Sequence, residues 1–255
     1  MATKSSKSPK DVAKKYNLEM ASSLAPLEFV PTGLGELDEL AGGFPRARIS
    51  ELYGLQGVGK TTLTLMAIAA ATSAGLKTLF IDCENAFNPV RAADLGVDTT
   101  KLAVANNSLL EEVHDILMGE IKNFDLIIVD SVAAMVPRAE IEGEAGDANV
   151  GLKARLMGQL IRKANVELAG SKCALVFINQ LRESMEMFAP KFSTTGGNAL
   201  RFFSSLRIEL STTAKDRIEK TKDGQKRRIG HNVTAKIIKS RVSKPYTATS
   251  FELIY

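Results

Sequence analysis

The stretch Gly54-Leu-Gln-Gly57-Val-Gly59-Lys60-Thr61 narrows the folding options of this chain more than any other. It follows the apolar run ISELY and precedes Lys60–Ser73, which suits an apolar helix. A Gly-x-x-x-x-Gly-Lys-Thr sequence between a strand and a helix is a phosphate-binding loop. Its glycines let successive backbone N–H groups turn inward around an anion, where side chains would collide. The helix N-terminus adds a favourable dipole. Lys60 is expected to reach the β- and γ-phosphates, and the Thr61 hydroxyl to ligate Mg2+. Gly54, Leu55, Gln56, Gly57, Val58, Gly59 and Thr62 form the rest of the cradle. An ordinary glycine turn is the alternative; the Lys-Thr pair and both flanking elements weigh against it.

The surrounding chain has a matching rhythm. From Ala47, short apolar runs (ISELYG, TLFID, LAVAN, LIIVD, CALVFIN) alternate with helix-compatible stretches such as Lys60–Ser73, Leu110–Lys122 and Asn149–Leu168. LIIV and ALVFI are apolar on both faces, as parallel strands covered from both sides must be. The alternation predicts an α/β fold, a mainly parallel twisted sheet flanked by helices. After Arg201 come RIEL, TAKIIKS and SFELIY with no helix between them, and Asp223-Gly224 supplies a hairpin turn. An antiparallel C-terminal extension of the same sheet is expected. Upstream, Val12, Tyr16, Met20 and Leu24 recur at helical spacing from Asp11 to about Leu24, where Pro26 stops the pattern. A partner surface and packing on its own domain suit that helix equally. The chain thus divides into a tail and short helix at 1–31, read as a subunit-interaction element, and one core at 32–255.

Composition excludes several classes. No apolar run approaches the ~20 residues of a membrane span, and the start MATKSSKSPKD lacks the apolar centre of a secretory signal. A cytoplasmic location with no membrane partner is expected. Cys83 and Cys173 adjoin apolar runs and read as core residues in a reducing compartment. His114 and His231 stand alone, which argues against a His-based metal site. The net charge of +4 is unevenly spread: Ser211–Pro245 holds 11 Lys or Arg and 3 Asp or Glu, 11 − 3 = +8, leaving 4 − 8 = −4 elsewhere. The asymmetry suggests a polyanionic partner; a solvated surface explains the charge as well.

A phosphate loop needs a second acid for the magnesium shell. LIIVD places Asp130 at the carboxyl end of a central strand, where α/β sheets bind ligands. Hydrolysis also needs a group that orients or deprotonates water, and Glu84, just past LFID, is the best-placed carboxylate. The bland reading of each acid is a helix cap or a strand-end charge. A further oddity is CALVFI, which ends in Asn179-Gln180 and opens into a segment with Met185, Met187, Phe188 and Phe192 unpatterned among charges.

With these residues in hand, the chain resembles the ATPase core of the RecA family of DNA strand-exchange recombinases. The resemblance runs from about Thr32 to the end. It is carried by YGLQGVGKTTL, FIDCENAFNP, IIVDSVAAMVPRAEIEGEAGD, VGLKARLMGQLIRK, VFINQLR, TTGGNALRFF and IIKSRVSKPY. By position it implies that Glu84 is the catalytic glutamate and Gln180 the glutamine that senses the γ-phosphate. Glu140–Asp147 matches the first DNA-binding loop and Arg182–Thr195 the second. Arg155 and Arg162 match DNA-contacting arginines; seven residues apart on a helix, they share a face. Arg182 is matched likewise, and Met185 and Phe188 are placed to wedge between or stack on bases, at roughly 1–3 kcal/mol per stacked base. Gly196, Gly197 and Asn198 match positions that contact the DNA backbone, and Thr195, the end of the second loop, is counted with them as DNA-binding. Lys239 and Arg241 match a pair that completes a neighbouring subunit's ATP site in trans. The implied function is an ATP-dependent recombinase that forms a helical filament on single-stranded DNA, pairs it with duplex DNA and hydrolyses ATP.

Departures from the family pattern qualify this. Arg91 stands where a tyrosine usually stacks on adenine, and Asn88 replaces a nearby acid; Arg91 offers a cation–π contact instead. Gln56 replaces a glutamate in the loop, and Arg241 a lysine. The chain ends at Tyr255, where bacterial relatives continue into a C-terminal domain, so no such domain is expected. The acids of the first loop sit oddly beside a polyanion. Two rival readings are a nucleotide-gated coat for single-stranded DNA with little turnover, and a helicase or loader motor of the same fold.

Overall fold

The computed structural model describes residues 8–16, 18–19, 21–144, 151–183, 192–222 and 225–254. Met185, Phe188, the Asp223-Gly224 turn and the end of the first loop (145–147) lie outside them.

The N-terminal helix α1 (Pro9–Tyr16) ends well short of Leu24; among the described residues up to there, a 3-10 turn, Ala21–Ser23, follows it. The helical spacing therefore overran: Leu24, its last position, is exposed, and among the described residues from 18 to 28 none is buried against a core. The two-residue strand β1 (Phe29–Val30) pairs antiparallel with β2 (Phe44–Pro45) across α2 (Gly35–Ala41).

The main body follows the expected alternation. In chain order, β3 (Arg48–Gly54) leads to α3 (Lys60–Ser73), β4 (Thr78–Asp82) to α4 (Pro89–Asp94), and β5 (Leu102–Asn106) to α5 (Leu110–Glu120). Then β6 (Leu126–Asp130) leads to α6 (Arg138–Glu142) and α7 (Leu152–Leu168). Next come β7 (Ala174–Glu183), β8 (Phe192–Thr194), α8 (Ala199–Phe203), β9 (Leu206–Ser211), β10 (Arg217–Lys222), β11 (Gln225–Ser240) and β12 (Ala248–Ile254).

Six strands in the order β9-β3-β7-β6-β4-β5 are mutually parallel. Beyond β9 the sheet turns antiparallel: β11 pairs with β9, β10 and β12. Lys222 opposes Gln225, so the β10–β11 hairpin forms where the Asp-Gly pair predicts it.

The double-sided apolar runs sort by alternation. Leu126, Ile128, Val176 and Ile178 enter the core under α3, with Leu52, Leu63 and Ile68. Their neighbours Ile127, Val129, Leu175 and Phe177 enter the opposite core under α5 and α7, with Val113, Leu160 and Ile161. Successive side chains of a strand point to opposite faces, so each residue of LIIV and LVFI is spent on one core or the other. No helix among the described residues is long and apolar enough to cross a membrane.

Candidate nucleotide and nucleic-acid site

β3 delivers Gly54 to the carboxyl edge of the sheet, level with Gln180 of β7 and Leu210 of β9. The chain turns through Leu55–Gly59 and enters α3 at Lys60. Gly59 has φ 98°, and a side chain there would also run into Leu253 of β12. Only glycine meets both conditions. Lys60 is buried, and its Nζ donates to the carbonyl oxygens of Gly54 (3.1 Å) and Leu55 (2.8 Å). That pins the ammonium across the loop and leaves one of its three N–H groups for an anion.

Asp130 ends β6 in register with Asp82, the last residue of β4. Thr61 Oγ1 donates to Asp130 Oδ2 at 2.6 Å. Asp82 accepts from the backbone N–H of Glu84 (3.1 Å) and Phe87 (2.7 Å), which shapes the turn that projects Glu84. Glu84 Oε1 accepts from Ser131 Oγ (2.5 Å) and from Gln180 Nε2 (3.1 Å). Groups from four strand ends meet here because β3, β4, β6 and β7 all run the same way.

Lys60, Thr61, Glu84, Asp130 and Gln180 line a cavity of about 250 Å3, together with Gln56, Gly57, Gly59, Thr62 and His231. A second hollow of about 130 Å3 shares Thr61, Thr62, Glu84 and Asp130 and extends to Phe87, Asn88 and Arg91. Asn88 caps α4, accepting from the N–H of Val90 and Arg91; this holds Arg91 beside the cradle. A larger depression, about 700 Å3, lies at the other end of the sheet against Arg48, Ser205 and Arg241. Its inner cation, Arg46, is already bound to Asp125 and the Lys172 carbonyl, so that end reads as a structural clamp.

Burial dominates the electrostatics. It pushes the Asp130 carboxyl up to about 6; Glu84 and Asp82 push the same way, while the Thr61 bond and Lys60 oppose. Burial lowers Lys60, against the pull of Asp130 and Glu84. Each group is costly as a lone charge, and a polyphosphate with a divalent cation would relieve both. The oxygen pair of Thr61 and Asp130 suits a hard cation. Among the described residues no cluster of three or more His, Cys, Asp or Glu is arranged to hold a metal. Phosphate oxygens and water would have to supply the rest of the shell, as Mg2+ prefers.

The second loop leaves from the same edge. β7 continues past Gln180 and is closed by β8, with Leu181 opposite Thr194 and Glu183 opposite Phe192. Arg182 is exposed, as are Arg155 and Arg162 on one face of α7. Gly196 and Gly197 follow with φ 84° and 79°, and Asn198 precedes α8. In the first loop, Arg138 lies 4.0 Å from Glu142, and the charge of Glu140 acts on Lys153 of α7. The loop's acids thus have basic neighbours, a partial account of a composition that otherwise repels phosphate.

Lys239 and Arg241 do not reach this cavity. Lys239 is in register with Arg207, which is in register with Glu51, three residues before Gly54. It therefore sits about 10 Å down the strands and about 10 Å across two strand spacings from the phosphate loop. A register shift between Ile237 and Lys239 re-aims the lysine. Ile237 lies in the core under α3, whereas Lys239 Nζ donates to the Arg201 and Phe202 carbonyls at the end of α8. Arg241 Nη2 also donates to the Phe202 carbonyl.

Three contributors escaped the sequence. Ser131 follows Asp130 directly, and its neighbourhood to the acid was the available clue. His231 Nε2 lies 3.4 Å from the Val58 carbonyl, 173 residues away, with no local signal. Asn179 was visible only as half of an amide pair.

Comparison with known proteins follows the same lines. A family model described as the RecA N-terminal domain matches residues 10–255. "Protein RecA" of a Nocardioides species is 45% identical over 236 residues, covering 91% of this chain and 66% of the relative. That of Paenarthrobacter aurescens is 45% identical over 238 residues, with the same coverage. That of Streptomyces rimosus is 44% identical over 238 residues, 91% of this chain and 62% of the relative. The chain therefore spans slightly less than two-thirds of the length of these relatives.

Proposed function

This chain belongs to the RecA family, and on that premise we propose that it is an ATP-dependent recombinase that assembles on single-stranded DNA and pairs it with homologous duplex. The carrying observation is the convergence of Lys60, Thr61, Asp130, Glu84 and Gln180 on one cavity beside the base of the Arg182–Thr195 loop.

In this reading the Leu55–Gly59 turn and Lys60 hold the β- and γ-phosphates, and Thr61 with Asp130 hold Mg2+, which neutralises phosphate charge. Arg91 lies on the base side. Glu84, steadied by Ser131, orients the attacking water and accepts its proton. Gln180 exchanges its bond to Glu84 for one to the γ-phosphate, and β7 carries that shift to the second loop, a nucleotide-gated switch. Arg155, Arg162, Arg182, Thr195, Gly196, Gly197 and Asn198 grip the DNA backbone, with Met185 and Phe188 against the bases. Lys239 and Arg241 serve the ATP of the adjacent copy, so the active unit is a filament. Residues 1–31 are assigned to subunit contact, with Leu18, Leu24 and Leu27 exposed along them, and 32–255 to the core.

The test is ATP hydrolysis with and without single-stranded DNA, paired with electron microscopy. Stimulated turnover and helical filaments are expected. Equal turnover in both conditions, or closed rings, overturns the proposal.

A further inference from the structure

Beside the site, the Asn179 amide has every hydrogen-bonding position filled. It is fully buried. Its Nδ2 donates to Glu51 Oε1 (2.9 Å) and to the Thr195 carbonyl (3.0 Å). Its Oδ1 accepts from Thr195 Oγ1 (2.7 Å) and from the backbone N–H of Gln180 (2.9 Å). An amide offers two donors and two acceptor positions, and all four are used.

The partners make this more than a satisfied core amide. Gln180 touches Glu84, and Thr195 closes the second loop, fifteen residues further along the chain. One side chain therefore joins the loop's outgoing end to its returning end. Glu51, its third partner, has no exposed side-chain surface and accepts from Arg207 Nε through its other oxygen. Arg207 lies 4.6 Å from the centre of the Tyr53 ring, which packs over the guanidinium. Strand alternation puts Asn179, Glu51 and Arg207 on the sheet face that carries Phe177 and Ile49. A buried charge with a fixed partner cannot shift without losing much of its compensation, so Glu51 is a rigid anchor.

Resting on the reading above, we propose that Asn179, anchored by Glu51 and Arg207, is the positioning residue that converts a shift at Gln180 into a shift of the Thr195 end of the second loop. Asn179 is fully buried and does not line the cavity. If Gln180 moves toward a γ-phosphate, its N–H moves with it, and the amide bonded to that N–H, turning about its fixed bond to Glu51, pulls on Thr195 at two points. Such a clamp is required for DNA affinity to depend on nucleotide, and dispensable for nucleotide binding.

The experiment uses Asn179→Asp, which keeps the shape and both acceptors but removes both donors and sets a second carboxylate against Glu51. Affinity for a fluorescein-labelled oligothymidylate is measured by anisotropy with a non-hydrolysable ATP analogue and with ADP; nucleotide affinity is measured separately with a fluorescent ATP. The intact chain should bind DNA about tenfold tighter with the analogue, within the usual range of coupling. The variant should bring that ratio to about one while changing nucleotide affinity less than about twofold. The double variant Asn179→Asp with Glu51→Gln restores a donor opposite the new carboxylate and should recover part of the ratio. It also decides the matter if the single variant fails to fold. A single variant that keeps the full ratio, or a double variant with no recovery, overturns the clamp. A ratio of one in the unaltered chain overturns the functional reading itself.

Discussion

At the scale of single residues, the described polar groups separate into those already satisfied and those held in waiting. Asp125 is satisfied. It receives Arg46 Nη1 (2.8 Å) and the backbone N–H of Lys77 (3.0 Å), and its own backbone binds Lys77 and Ala174, so it ties the entrances of three strands together. Burial alone would raise its carboxyl; the Arg46 and Lys77 bonds, with the charges of Arg46 and Lys172, outweigh burial and hold it below its ordinary value of 3.8. A carboxylate depressed in the folded state stabilises it above the unfolded value, and that contribution is lost as pH falls through the folded value. Asp125→Asn should therefore cost about 1–2 kcal/mol at pH 7. Urea titrations should show the gap narrowing as pH falls through 3.8 and further below it. A gap that persists unchanged in acid would refute the assignment. Lys60 and Asp130 are the opposite kind, charges whose burial is uncompensated by protein partners alone.

At the scale of elements, backbone shape decides what a motif can do. The Gly196-Gly197 pair lets the second loop return flush against α7. A Cβ on Gly197 would stand 2.9 Å from Ala154 Cβ, in a left-handed backbone that resists side chains. Gly197→Ala should destabilise the fold by about 1–3 kcal/mol. Chemical denaturation without DNA measures this, so it separates packing from any part the glycine plays in binding. No loss of stability would mean that the turn can relax. The irregularity in β11 works the same way on a larger piece. Regular alternation would send Lys239 to the face of Ile237; the register shift sends it to α8 instead.

At the scale of the whole molecule, the two halves of the proposed catalytic set lie at different places on the sheet. Glu84 and Lys60 line the cavity, whereas Lys239 and Arg241 gather at the end of α8 beside the exposed Phe202. A head-to-tail assembly would bring the second set of one copy to the cavity of the next. Glu84→Ala and Lys239→Ala should each abolish hydrolysis alone. Mixed in equal amounts, they should recover about a quarter of normal turnover, since random head-to-tail neighbours leave one interface in four with both groups intact. Turnover by the mixture that stays at zero would show that both groups act within one copy.

The sequence by itself determined what is local or periodic. The phosphate loop is contiguous and set by short-range backbone conformation; LIIVD and ALVFI carry their burial in their composition; the Asp-Gly turn announces the hairpin. The N-terminal spacing misled because periodicity without an apolar surface to cover does not hold a helix. Tertiary structure alone decided the rest. Asn179 reaches Glu51 across 128 residues, Arg207 reaches Glu51 across 156, and His231 meets Val58 across 173. A hydrogen bond between distant residues leaves no mark on either one's neighbours, because the parallel crossovers that bring them together are specified by the packing of the entire sheet.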